Sequence, residues 1–185
     1  MSECLYTKDL FRYYGNKKIG LFKSFFIPIE LRFIKAFRMA QYYRNKKFCK
    51  ILYWFWELRK RQLSLKTHIQ IPTVATIGPG LYIGHFGRVI LNSKVVLGKN
   101  VTINTGVTIG QTNRGKKKGV PIVGDNVWIG TNAVVVGNIC IGDDVLIAPN
   151  SYVTDDVPSH SIVKGNPAVV IHREDATKGY IEHVV

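Results

Sequence analysis

One histidine stands inside the patterned part of this chain: His85, in "YIGHFGRVIL". A neutral imidazole near its ordinary pKa of ~6.5 can take a proton from a hydroxyl at neutral pH, so the chemistry on offer is general-base catalysis. A lone histidine is more often structural than catalytic. Here it lies beside a break in the surrounding repeat, Gly84 and Gly87 leave it approachable, and no second imidazole competes for the role. His68, His160, His172 and His183 fall outside the central repeat, so a metal-dependent lyase built on three imidazoles is rejected. There is no CxxC or Cys/His cluster, and no metal is expected.

The elements that must hold His85 show themselves as a period of six. Apolar residues fall at Ile71, Ile77 and Ile83, then at Leu91, Leu97, Ile103 and Ile109, then at Val123, Ile129, Val135, Ile141, Ile147 and Val153. Four residues after many of these anchors comes another small or apolar residue, as at Val101, Val107, Val127, Ala133, Ile139, Val145 and Ser151. Such a period fits neither a helix nor a simple alternating strand. It fits a parallel β-helix, in which each hexad is one short strand and one corner and three hexads close a triangular coil. Inward anchors then stack one strand spacing apart, ~4.8 Å.

Two steps break the register. The step from Ile83 to Leu91 is too long for one hexad, and that from Ile109 to Val123 carries the insert "QTNRGKKKGVP". Inserts in repeat proteins are ejected as loops, often on a functional face. With coils starting at Ile71, Leu91, Ile109 and Val135, counting predicts that His85, Thr105, Thr131 and Pro149 share one edge. Thr105 is then expected directly over His85, offering a hydroxyl to the substrate. The 111–122 loop leaves from a different edge, so covering a site would require it to reach a neighbouring subunit.

Ahead of the repeat lies a basic helical region, residues 1–67, with 16 Lys/Arg against 4 Asp/Glu. In "LRFIKAFRMAQYY", Arg32, Lys35 and Arg38 fall on one side of a helical wheel, and Phe33, Ile34, Ala36, Phe37 and Ala40 on the other. A second, aromatic-rich helix is expected from about Lys46 to Lys60, and a weaker one over 5–14, separated by "GNKKIG". This region suits a solvated helical cap or contact with an anionic membrane surface. No nucleic-acid motif accompanies it, and no nucleic-acid partner is expected. Residues 68–172 form the repeat body and 173–185 a C-terminal tail. Cys4, Cys49 and Cys140 make no disulfide framework, and neither a signal peptide nor a membrane-spanning run is visible. A cytoplasmic location, with possible peripheral contact at the inner membrane face, is the expectation.

The ordered hexads, with "IGPGLYIGHFG", "VTINTGVTIG", "VPIVGDNVWIGTNAVVVGNICIGDDVLIAPNSYVTDDVP" and "VKGNPAVVI", resemble the hexapeptide-repeat acyltransferases over about residues 68–172. The branch most similar is that of serine O-acetyltransferases and relatives that acetylate surface polysaccharides. The resemblance implies a left-handed parallel β-helix, acetyl-CoA as co-substrate, a homotrimer with the cofactor cleft between neighbouring coils, and His85 as the catalytic base. It puts substrate beside Gly84 and the cofactor along Gly130, Thr131 and Ala148, with Lys164, Asn166 and Pro167 at the closing "GNPA" stretch. Lys116, Lys117 and Lys118 are further candidates to meet its phosphates. A backbone carbonyl on Nδ1 would suffice to orient His85. The chain departs from serine acetyltransferases at three places: Gly84 stands where an acidic residue precedes the histidine, Val120 where a second histidine stands, and Gln70 where a further acid stands. Serine carries an ammonium that seeks carboxylates, so these losses favour a sugar hydroxyl of a surface polysaccharide or its lipid-linked precursor as acceptor. Serine is the alternative, and a non-enzymatic β-helix scaffold is the third reading.

Overall fold

The computed structural model describes residues 2–17 and 27–185, with side chains from Leu5 onward. Part of the "GNKKIG" separator lies outside the described residues. Three helices come first: α1 (Ser2–Tyr14), α2 (Ile29–Arg44) and, after a short 3-10 turn at Lys47–Cys49, α3 (Lys50–Thr67). α3 begins later and runs further than the sequence suggests. No Gly or Pro follows Lys60 to stop it, Leu63 continues its buried side, and it ends only where His68 adopts a left-handed backbone.

The remainder winds into a left-handed parallel β-helix with three faces. The first face holds β1 (Ile69–Gln70), β4 (Val89–Leu91), β7 (Thr108–Gly110), β10 (Val134–Val136) and β13 (Tyr152–Val153). The second holds β2 (Thr76–Ile77), β5 (Val96–Leu97), β8 (Ile122–Val123) and β11 (Cys140–Ile141). The third holds β3 (Tyr82–Ile83), β6 (Thr102–Ile103), β9 (Val127–Ile129), β12 (Val145–Ile147), β14 (Ser161–Lys164) and β15 (Val169–His172). Every pairing is parallel except β14 with β15, which turns back and closes the lower end. All thirteen sequence anchors, from Ile71 to Val153, are buried in one core. Corners at Asn100, Asn126, Asn132 and Asn150 take positive φ of 54–59°, a region that asparagine tolerates better than β-branched residues.

The helices close the upper end by replacing a coil. Phe33 and Phe37 of α2 are buried against the core. Polar side chains then satisfy backbone groups of the first coil that no further strand can reach. Arg38 donates to the carbonyls of Ile77 at 2.7 Å and Gly78 at 2.6 Å. Asp9 of α1 accepts from the Leu81 amide at 2.8 Å. The Tyr13 hydroxyl donates to the Ile83 carbonyl at 2.8 Å and accepts from its amide at 3.0 Å. Arg38 and Asp9 also pair with each other at 2.7 Å, both fully buried. Burial raises the Asp9 carboxyl, and Arg38 beside it pulls against that rise. The wheel assigned Arg38 to the same solvated side as Arg32 and Lys35. The structure turns it inward, because Asp9 and two edge carbonyls await it there.

Candidate active site: a polar cleft at one edge of the β-helix

The third face and its following corner organise the site. Ile83 pairs with Ile103, Ile103 with Ile129, Ile129 with Ile147, and Ile147 with Val163. The residues that follow, Gly84, Asn104, Gly130, Ala148 and Lys164, therefore descend along one edge. His85 and Gly84 open the column, Gly130, Thr131 and Ala148 continue it, and the β14–β15 hairpin carries Lys164, Asn166 and Pro167 at its lower end.

The short insert shifts one expected neighbour. Between Ile83 and Ile90 the register changes, since Ile83 faces Ile103 while Ile90 faces Thr108. Two extra residues are thereby pushed out of the coil at this corner, and His85 and Phe86 are both exposed. Thr105 remains on this edge, but it stacks on Gly87: a Cβ at Gly87, where φ is +139°, would fall on Thr105 Oγ1. Asn104, one residue earlier, shares the cleft with His85, and Thr105 does not line it. Six-residue counting fixes the edge but cannot say which residues of a bulge are expelled.

His85 and Gly84 line a cleft of about 280 Å³ together with Tyr13, Tyr82, Thr102, Asn104 and Trp128. Its remaining wall comes from Arg12 of α1 and from the C-terminal tail, through Tyr180, Glu182 and His183. No hydrogen-bond partner for the imidazole occurs among the described residues, so the expected backbone carbonyl on Nδ1 is not found there. Arg12 is committed elsewhere: it donates to the carbonyl of Glu182, to Thr102 Oγ1 at 2.7 Å and to the Gly80 carbonyl at 3.2 Å. Burial lowers its pKa. The Glu182 carboxylate is exposed and forms no ion pair among the described residues. A larger cavity of about 680 Å³ lies between α3 and the first coil, but it holds no histidine or thiol that could serve as base. The described residues contain no cluster of His, Cys, Asp or Glu able to hold a metal ion.

The tail that supplies Glu182 had no sequence signal. It is fastened across the third face. Asp144 accepts from the amides of Ala176 and Thr177, each at 3.0 Å, and from the Thr177 hydroxyl at 2.7 Å. Tyr180 stacks edge-on against Trp128 at 4.9 Å, and Asn100 accepts from the Val185 amide at 2.9 Å. Partial burial alone would raise the Asp144 carboxyl, but hydrogen bonds from Thr177, His160 and Ala176 outweigh it and hold it below its usual range. The bond to Asp144 raises the His160 imidazole against some desolvation, with Glu174 assisting.

The Asp144 shift predicts a pH dependence for the docking of the tail. A lowered carboxylate contributes above ~3.9 and fails as pH falls through its folded pKa. Hydrogen-exchange protection of residues 176–185, corrected for intrinsic rates, should therefore hold above ~3.9 and fall as pH drops through the lowered Asp144 pKa. Protection that stays unchanged from neutrality down to pH ~2 would contradict this linkage.

The insert at 111–122 sits on another edge. It forms a tongue bridged between Thr112 and Gly119 and folds onto its own lower coils, with Lys117 reaching Asp155 at 3.5 Å and Asp156 at 3.9 Å. Within one chain it does not cover His85. Lys116 and Lys118 are exposed.

Three stacked parallel faces, built on hexads and closed by a hairpin, define a class of protein. The family model described as bacterial transferase hexapeptide (six repeats) matches residues 121–155, the stretch that holds β8 to β13. The chain's relatives narrow the comparison further. The serine acetyltransferase of Helicobacter pylori is 41% identical over 108 residues, covering 58% of this chain and 63% of the relative. The structure of Neisseria gonorrhoeae serine acetyltransferase in complex with serine superposes with a TM-score of 0.71 at 29% identity, covering 92% of this chain and 69% of that one. A serine acetyltransferase in complex with CoA superposes with a TM-score of 0.70 at 25% identity, covering 92% and 68%. The chain spans less than two thirds of the length of the curated relatives it matches.

These findings overturn the sugar acceptor expected from the sequence. The relatives and structural neighbours compared above are serine acetyltransferases. No acidic residue stands next to His85 in the sequence. The tail brings Glu182 to the wall of the cleft from nearly a hundred residues away, where Arg12 holds its backbone carbonyl.

Proposed function

We propose that this protein is an O-acetyltransferase that moves the acetyl group of acetyl-CoA to the side-chain hydroxyl of serine. The observation that carries the reading is the cleft around His85, in a chain that matches a serine-bound serine acetyltransferase over 92% of its length. His85 is the general base. Its unprotonated ring nitrogen takes the proton from the serine hydroxyl as the oxygen attacks the thioester carbonyl. The tetrahedral intermediate collapses, the carbon–sulfur bond breaks, and the imidazolium returns its proton to the departing thiolate. No protein nucleophile is needed, and the two reactants gain from being held together at one edge.

Asn104 and Tyr82 are candidate hydrogen-bond donors in the cleft, and Gly84 leaves room for the substrate beside them. Thr105 is no longer a candidate for direct contact. Glu182 offers the carboxylate that the ammonium of serine requires. The cofactor follows the descending edge, with amides near Gly130, Thr131 and Ala148 along the pantetheine arm, and Lys164, Asn166 and Pro167 near its far end. The working unit is a homotrimer, in which a neighbouring coil completes the cofactor cleft. Cys49 and Cys140 are free thiols, in keeping with a reducing cytoplasm.

Release of CoA thiol from acetyl-CoA should rise above the acceptor-free background when serine is added. Glu182→Gln should raise KM for serine about tenfold with a smaller change in kcat, because a charge-assisted hydrogen bond is worth about 1.5–3 kcal/mol. Serine-independent CoA release would sink the reading. An unchanged KM in Glu182→Gln would remove only the role of Glu182.

A further inference from the structure

The outer face of α3 is apolar and uncovered. Ile51, Phe55, Leu58, Gln62 and Leu65 recur at steps of four and three, which places them on one stripe. Ile51 is 85% exposed, Leu65 73%, Leu58 58% and Phe55 57%, and Phe48 in the preceding turn is fully exposed. Trp54, 66% exposed, flanks the stripe. The opposite side of the helix, through Lys60, Leu63 and Thr67, is buried against the protein. An amphipathic helix normally turns its apolar side inward, so an outward apolar stripe of this length marks a contact surface.

The charges beside the stripe indicate the partner. Lys46, Lys47, Lys50, Arg59, Arg61 and Lys66 are all exposed, and none meets a carboxylate among the described residues. Glu57 is the single acid between residues 46 and 67, and it turns inward to Lys60 and Thr73. A copy of the same helix would set Arg59, Arg61 and Lys66 against their own kind, with no acid to pair them, which disfavours a homotypic helix seam. A negatively charged surface that also accepts aromatic and aliphatic side chains satisfies both features. No helix among the described residues is long and apolar enough to cross a bilayer, so the helix would lie in the headgroup plane.

We propose that the outward face of α3 seats this protein on an anionic phospholipid surface, with Phe48, Ile51, Phe55, Leu58 and Leu65 entering the headgroup–acyl boundary and the flanking cations meeting lipid phosphates. The inference is independent of the acyl-transfer reading, since it uses neither His85 nor the coil edge.

The test is co-sedimentation of the full chain with vesicles of phosphatidylcholine alone and of phosphatidylcholine with phosphatidylglycerol. Tryptophan fluorescence is recorded alongside, and sedimentation velocity is run without lipid. Binding is expected to the anionic vesicles, at least tenfold weaker to the neutral ones, and reduced by high salt. Phe55→Glu with Leu58→Glu should lower vesicle binding more than tenfold at unchanged oligomeric state. Equal binding to neutral vesicles, or none to anionic ones, overturns the proposal. So does a smaller oligomer in the double variant, which would assign the face to a second copy of the chain.

Discussion

Replacing His85 with alanine is expected to lower acetyl transfer by about 10²–10⁴-fold, the usual worth of one general base. The fold should not follow. His85 is exposed on the expelled corner and makes no hydrogen bond among the described residues, so its loss leaves no cavity and no orphaned partner. Stability should stay within about 0.5 kcal/mol of the parent, as for other surface substitutions. Turnover and thermal unfolding of the same preparation check both halves. A variant that keeps more than a tenth of parental turnover would return His85 to a structural role. A variant that unfolds earlier would show that the corner needs the ring for its shape.

Arg38→Ala should be the most damaging single change to stability. It strands Asp9 as a carboxylate with 0% exposure and no cation. It also removes donors from the carbonyls of Ile77 and Gly78 at the edge of the first coil. Breaking a buried ion pair from one side typically costs about 3–5 kcal/mol. Denaturant unfolding should record a loss of that size. The paired replacement Arg38→Met with Asp9→Leu should recover only part of it. Apolar side chains can replace the ion pair, but the two carbonyls and the Leu81 amide still lack partners. Full recovery would mean that the ion pair, not the edge, sets the cost. A loss below about 1 kcal/mol for Arg38→Ala would mean that water reaches this junction.

The repeat was legible because a β-helix writes its inward direction into the sequence at a fixed interval. Every anchor from Ile71 to Val153 is buried, and both register breaks mark real expulsions. What remained hidden depends on contacts that periodicity does not encode. The bulge at 84–89 exchanged Thr105 for Asn104 as the residue sharing the cleft with His85, because a count of six cannot locate two extra residues within a corner. Arg38 looked like a surface cation, since nothing local reveals a buried Asp9 on another helix. The tail carries no hexads, yet three hydrogen bonds to Asp144 and the Trp128–Tyr180 contact fold it over the third face and deliver Glu182. The sugar acceptor was expected from carboxylates missing near His85 in sequence, and the serine acetyltransferases among the relatives overturn it.

The side chains that occupy the upper edge of the first coil also bear on solubility. A stack of parallel coils has no intrinsic length, because each end offers unpaired amides and carbonyls in the spacing of the next layer. Left bare, such an end is a template for the end of another molecule, and head-to-tail growth into filaments would follow. Here Arg38, Gln41, Asp9 and Tyr13 fill those groups with side-chain partners that no incoming strand can displace one at a time. At the other end β15 runs backwards, so a parallel layer cannot add in register. The helices thus act as a polymerisation stop, and a chain trimmed of α1 and α2 would be expected to assemble along its own axis rather than simply unfold.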